Sequence, residues 1–102
     1  FKAVELRGDS MSPNFNDGDW LLFRLLPAKA LRGKLVGKVV LIQRQSEIGK
    51  DFLQVKRVTK VNEVGIWVEG DNKEKSTDSR SWGALDSTEV IGKLLFRYRR
   101  AK

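Results

Sequence analysis

The 102-residue sequence contains no cysteine and no histidine, two prolines and a single methionine. Without cysteine there are no disulfides, no thiolate nucleophile and no Cys-based zinc site, and the redox compartment is left open. Without histidine the usual general base and the commonest metal ligand are both missing, and no cofactor or metal is expected. Long apolar runs are missing too. The best candidate, "WLLFRLLP" over residues 20–27, is interrupted by Arg24 and stopped by Pro27, far short of the ~18 residues of a membrane span. No secretory signal is visible, although a chain beginning at Phe1 is compatible with a lost N-terminal segment, a membrane anchor included. On these grounds a cytoplasmic location is expected, with tethering to a membrane as the alternative if such an anchor has been removed. Membrane contact is not required by this chain.

What is present suits one folded domain over residues 1–102. Hydrophobic residues at 40% and charged residues at 32% are an ordinary globular balance. A chain of this length buries roughly two-thirds of its unfolded surface, enough for one modest core. The net charge of +7 raises a nucleic-acid reading. However, the only dense basic cluster is "RYRRAK" at residues 97–102, and aromatics do not interleave with basics as an RNA-binding surface requires. No dedicated nucleic-acid binding is expected; a solvated basic surface, or attraction to acidic partners, accounts for the charge.

Six stretches rich in β-branched and aromatic residues read as strands: "KAVELR", "WLLFRLL", "GKVVLIQR", "FLQVKRVTKV", "GIWVEG" and "VIGKLLFRYR". Turn signals separate them, "EIGKD" at residues 47–51 among them. No stretch holds a 3.6-residue apolar period, although residues 27–35, "PAKALRGKL", could form one helical turn. The expected fold is a small, mainly β, mostly antiparallel domain with one long polar loop over residues 70–83. Loops of that length in compact domains are usually functional or disordered. The turn chemistry at both ends, "GDN" and "DSRSWG", argues for order.

Two short stretches invite chemistry. "GDSMSP" at residues 8–13 reads either as a polar turn or as the setting of a nucleophilic serine. With imidazole and thiolate gone, such a serine needs another base. A neutral lysine amine can serve if burial disfavours its charged form. Lys34, Lys38, Lys50, Lys73, Lys75 and Lys102 fall in turns, tails or polar loops. Lys56 does not. Alternation in "DFLQVKRVTKV" puts Phe52, Gln54, Lys56 and Val58 on one face and Leu53, Val55 and Arg57 on the other. A lysine flanked by apolar residues in mid-strand is either an edge-strand guard against aggregation or a desolvated amine.

Taken in order, "GDSMSPNFNDGDWLLF", "VKRV" and "GDNKEKSTDSRSWG…VIGKL" resemble the nucleophile box, the Lys-Arg box and the Gly-Asp-Asn…Ser-x-Asp-Ser-Arg box of the type I signal peptidase family. The resemblance runs through nearly the whole chain and implies a β-fold of the signal peptidase and LexA-like protease type. It implies a serine endopeptidase in which Ser10 is the nucleophile and Lys56 the general base. Ser76 would orient the lysine amine, Met11 would line the cleft and Pro13 would fix the following turn. Asp78 and Arg80 would form the charged pair that holds the loop, with Arg57 joining that network; Gly70, Asp71 and Asn72 would form the loop's entry. Some members place a hydroxyl two residues before the nucleophile as an oxyanion donor; here that position is Gly8, which lacks one.

The connection from Lys56 to Gly70 is only "RVTKVNEVGIWVE", too short for the subdomain that longer members insert there. That shortness resembles the maturation proteases of nickel-type superoxide dismutase, and implies as partner a precursor protein carrying an N-terminal leader peptide. The alternatives are the catalytic core of a membrane-anchored signal peptidase and a LexA-like self-cleaving regulator. Against the last, no Ala-Gly or Cys-Gly cleavage site precedes Ser10, and the "GDN…DSRSWG" loop is foreign to it.

Overall fold

The computed structural model describes residues 1–27, 32–45 and 51–102. The expected turn at residues 47–51 lies outside these but for Asp51, as do Lys50 and residues 28–31 of the expected helical turn. The C-terminal part of that turn, Arg32–Leu35, is a short 3-10 helix. All six expected strands form: β1 (Lys2–Glu5), β2 (Trp20–Leu25), β3 (Val39–Gln45), β4 (Asp51–Asn62), β5 (Gly65–Glu69) and β6 (Val90–Arg99). They make one sheet in the order β1-β2-β6-β3-β4-β5, with every neighbouring pair antiparallel.

Register explains why β3 reads as an unbroken apolar run. Val40 lies opposite Lys56 and Leu41 opposite Val55, so successive β3 residues face opposite sides of the sheet. Val40 and Ile42 enter one core with Val58, Ile66, Val68, Leu85 and Val90. Val39 and Leu41 enter the other with Leu6, Met11, Leu21, Phe23 and Val55. A strand covered on both faces has no polar alternation to display. Each fully buried aliphatic side chain in these cores contributes about 1.5–3 kcal/mol relative to exposure.

The sheet coils. β1 and β4 are four strand positions apart in the order, yet residues 4–7 and Ser10 face residues 53–56 across a single open cleft of about 330 Å³. Four antiparallel steps also leave β1 and β4 parallel to each other. Both rims of the cleft are free edges among the described residues. β1 pairs only with β2, and the N-terminal half of β4 pairs only with β3, because pairing with β5 starts at Arg57.

The loop expected over residues 70–83 folds locally rather than running irregularly. It holds a 3-10 turn at Lys73–Lys75 and a single helical turn, α1 (Ser79–Trp82). The Asp78 side chain accepts from the Arg80 N–H and so caps α1.

The C-terminal basic cluster is not wholly solvated. Arg97 turns inward, donating to Asp19 Oδ2 at 3.0 Å and lying 5.4 Å from the Phe15 ring. The buried Asp19 carboxylate also accepts the N–H groups of Asn16 and Ala101 at 2.8 and 2.7 Å. Burial alone would raise its pKa, but these hydrogen bonds and the Arg97 charge outweigh it and hold the carboxyl below its ordinary value. A depressed carboxylate contributes stability above its unfolded pKa and loses it as pH falls through the folded one. Asp19→Ala, which strands Arg97, should therefore lower unfolding free energy by about 3 kcal/mol at neutral pH. In urea titrations followed by tryptophan fluorescence, the deficit should narrow as pH falls below about 4.

Candidate active site

Ser10 sits in a turn that the backbone and one glycine define. Gly8 has φ +85°, a conformation costly to side-chain-bearing residues, and its N–H donates to Asp17 Oδ1 at 2.7 Å. Its two chain neighbours apart, no heavy atom of the described residues lies within 4 Å of where a Gly8 Cβ would stand. The glycine is therefore required by the backbone angle, not by close passage of another group. After it, the Ser12 N–H bonds Asp9 O at 3.1 Å and the Phe15 N–H bonds Met11 O at 3.0 Å.

This turn is fastened to the loop after β5. The Ser10 carbonyl accepts the Asn72 N–H at 2.8 Å. Four residues on, Asn14 Nδ2 donates to Asp71 Oδ2 at 2.9 Å. Asp71 in turn receives both Nε and Nη2 of Arg57, each at 2.8 Å, while Arg57 Nη1 reaches Gly37 O at 2.9 Å. The fork geometry fixes orientation as well as charge.

Lys56 lies on the free edge of β4, yet its side chain is 4% exposed. Its Nζ donates to Ser76 Oγ at 3.0 Å, and Ser76 Oγ donates to Asp78 Oδ2 at 2.7 Å. Desolvation lowers the Lys56 pKa below its ordinary value; the Asp78 charge opposes this and the Arg80 charge assists it. The net direction favours the neutral amine, the form that can accept a proton.

Asp78 is fully buried and carries an unusual load of hydrogen bonds. It accepts from Gly70 N at 2.9 Å, Ser76 Oγ at 2.7 Å, Arg80 N at 3.1 Å, and Arg80 Nε and Nη2 at 3.0 and 3.2 Å. Burial would raise its pKa, but the Arg80 guanidinium, the Gly70 N–H and the Ser76 hydroxyl hold it well below the usual carboxylate range. Arg80 Nη2 also donates to Lys73 O at 2.8 Å, which ties the 3-10 turn to α1.

The structure thus brings Ser10, Lys56, Ser76, Asp78 and Arg80 together around one cleft edge. It differs from expectation at two residues. Met11 does not line the cleft; it is 0% exposed, in the core beneath with Leu21 and Phe23. Following a turn that points Ser10 toward the cleft, its long apolar side chain is driven inward by burial. Arg57 does not join Asp78 and Arg80 but pairs with Asp71, because it sits on the opposite face of β4 from Lys56. The edge-guard reading of Lys56 is half met: the strand edge is free, but the amine turns inward.

Two residues escaped the sequence reading. Asn14 looked like one more turn residue, and nothing local marks its partner 57 positions away. Gln54 lines the cleft two residues before Lys56, and its buried Oε1 has no hydrogen-bond partner among the described residues. Its place on the Lys56 face was legible; its unmet acceptor was not.

The cleft thus holds a buried amine hydrogen-bonded to a serine, which is bonded in turn to a carboxylate, and a second serine on its lining. The family description of signal peptidase, peptidase S26, matches residues 30–99, more than half of the chain. The chain belongs to that family. The match takes in Lys56, Ser76, Asp78 and Arg80 and begins after Ser10. A stretch of 33 residues is also 48% identical to a protein of Arabidopsis thaliana described as "Probable thylakoidal processing peptidase 2, chloroplastic". That stretch is 32% of this chain and 9% of that much longer protein.

Gly70 supplies a sharp test of how tightly the site is set. A Cβ there would collide with Ser76 Oγ and stand 2.6 Å from Ser10 O. Gly70→Ala must push Ser76, the partner of Lys56, away from the turn that carries Ser10. Since misplacement by about 1 Å can cost roughly 100-fold, peptide turnover by this variant should fall by about that factor. Circular dichroism should report an unchanged sheet.

Proposed function

We propose that this chain is a serine endopeptidase with a Ser10/Lys56 dyad that removes an N-terminal leader from a precursor protein. The observation that carries the reading is Lys56, a buried amine with a lowered pKa, hydrogen-bonded to Ser76 and lining the same cleft as Ser10. Neutral Lys56 Nζ removes the proton from Ser10 Oγ as that oxygen attacks the scissile carbonyl. The resulting ammonium returns the proton to the departing amine, leaving an acyl-enzyme on Ser10. Lys56 then deprotonates a water, which attacks the ester, and the ammonium returns that proton to Ser10 Oγ as the acid leaves. Ser76 holds the amine in line through both steps, and Asp78 holds Ser76. The Ser10 N–H is the oxyanion donor this reading supplies, since Gly8 offers no hydroxyl.

Substrate binding follows from the two free rims. An extended peptide laid between β1 and the N-terminal half of β4 meets unpaired strand edges on both sides. Main-chain pairing of that kind holds a flexible leader without requiring it to be folded. The short connection over residues 57–69 supports a precursor of nickel-type superoxide dismutase as the first substrate to try. The likeness to a processing peptidase supports a secretory or organellar leader as the second. In that case the chain is the catalytic core of a signal peptidase.

The dyad predicts a definite pattern in cleavage assays read by mass spectrometry. Wild type should cut each accepted precursor at one bond, and Ser10→Ala and Lys56→Ala should each lose several orders of magnitude in rate. Lys56→Arg should be as inactive as Lys56→Ala, because a guanidinium does not give up its proton. The wild-type kcat/KM should rise with pH through a pKa below the ordinary lysine value of 10.5. Undiminished cutting by either alanine variant would remove Ser10 and Lys56 from the mechanism.

A further inference from the structure

The cleft does not end at the candidate active site. Leu53, on its β4 rim, also lines a second open groove of about 350 Å³, whose other walls are Lys2, Leu25, Gln43, Phe52 and Ile91. Those residues come from β1, β2, β3, β4 and β6, so the groove is the far end of the hollow formed by the coiled sheet. Its apolar walls are open to solvent: Leu25 is 47%, Phe52 40% and Leu53 41% exposed. Aliphatic and aromatic side chains grouped in a concavity cost free energy while wet.

Three observations identify the occupant. The groove is continuous with the cleft through Leu53 and lies between the same two parallel rims, β1 and β4. Next to Leu53 on the cleft lining is Gln54, whose buried Oε1 has no hydrogen-bond donor among the described residues. A peptide N–H would satisfy that acceptor; a hydrocarbon chain would not. Finally, the spacing suits an extended chain. From Lys56 back to Phe52 on β4, and from Leu6, just past β1, back to Lys2, are four residue steps each, about 13 Å at ~3.3 Å per residue. An extended peptide alongside covers the same distance in four residue steps, and alternation puts the side chain four positions on, at i+4, on the same face as the one at i.

We propose that this groove is a distal subsite of the same cleft: it takes an apolar side chain of the substrate peptide about four residues from the scissile bond, with Gln54 Oε1 accepting a hydrogen bond from the peptide on the way. The proposal rests on the peptidase reading above, and it adds a sequence requirement remote from the bond that is cut. Burial of one leucine side chain in such a groove is expected to favour the peptide by about tenfold or more in kcat/KM.

The experiment uses the full chain and two readouts. Synthetic peptides spanning a mapped cleavage site carry leucine or serine at each position three to six residues from the bond, on either side. Leucine should be preferred by about tenfold at one such position, on one side only. In Leu25→Ser and in Phe52→Ser that ratio should fall toward one, and Gln54→Met should raise KM while slightly raising resistance to urea, since it removes an unmet buried acceptor. Equal rates for leucine and serine at all positions, or a preference that survives both groove variants, would overturn the proposal. Binding of the same peptides to the Ser10→Ala protein, followed by fluorescence anisotropy, asks the question without chemistry. A leucine preference there that Leu25→Ser abolishes supports the subsite even if Ser10 proves not to be the nucleophile. A lack of preference there sinks the subsite even if Ser10 is.

Discussion

One buried carboxylate organises the business end of this molecule. Asp78 has no exposure to water, and every strong hydrogen bond it accepts comes from a group that must be elsewhere in register: the Gly70 backbone, the Ser76 hydroxyl and the Arg80 backbone and guanidinium. An ionised group out of water is tolerable only with such partners. Satisfying Asp78 thus folds the loop after β5 into a definite shape. Ser76 is consumed as a donor to Asp78, which leaves its oxygen as the acceptor for Lys56. The chain of donors runs from amine to hydroxyl to carboxylate in one direction only.

That arrangement resolves a conflict of charge. Asp78 attracts the proton on Lys56 and would keep the amine cationic, while burial and Arg80 act against the charge. Arg80 pairs with Asp78 directly, so part of the carboxylate's field is spent on the guanidinium. Interposing Ser76 also keeps the lysine from forming its own ion pair with Asp78. A lysine salt-bridged to that carboxylate would be a structural cation; one step removed, it is held in place and made less basic.

The second constraint is the coil of the sheet. Two cores on opposite faces of β3 require residues of both parities to be apolar there, and the curvature that buries both brings β1 opposite β4. β5 is too short to cover the first half of β4, so a free edge is left beside Lys56. Meanwhile the turn bearing Ser10 is held from the far side by Asn72, and by Asn14 on an Asp71–Arg57 pair. Arg57 and Lys56 are neighbours in sequence on opposite faces of one strand. Each grips a different part of the same loop, through Asp71 and Ser76 respectively.

Much of this was legible in advance. Runs of β-branched and aromatic residues between turn signals located all six strands, because such side chains fit a pleated, buried surface. Alternation set Lys56 among apolar neighbours on the opposite face from Arg57, and left it open between an edge guard and a desolvated amine until the resemblance was added. The shape of residues 70–83 was less legible. Its turn residues predicted order, but the helical turn at Ser79–Trp82 depends on a cap supplied by a carboxylate that is itself fixed from Gly70.

By itself, then, the sequence determined the strands, which residues of β4 share a face, and that Lys56 stands among apolar neighbours. These are consequences of local composition and periodicity. Only the tertiary structure decided that Met11 goes under the cleft, that Arg57 pairs with Asp71, that Asn14 reaches across to the same carboxylate, and that Gln54 Oε1 is buried without a donor among the described residues. Each of those depends on how far the sheet coils and on which distant segment arrives first at a buried charge, and neither quantity is written in any local stretch of the chain.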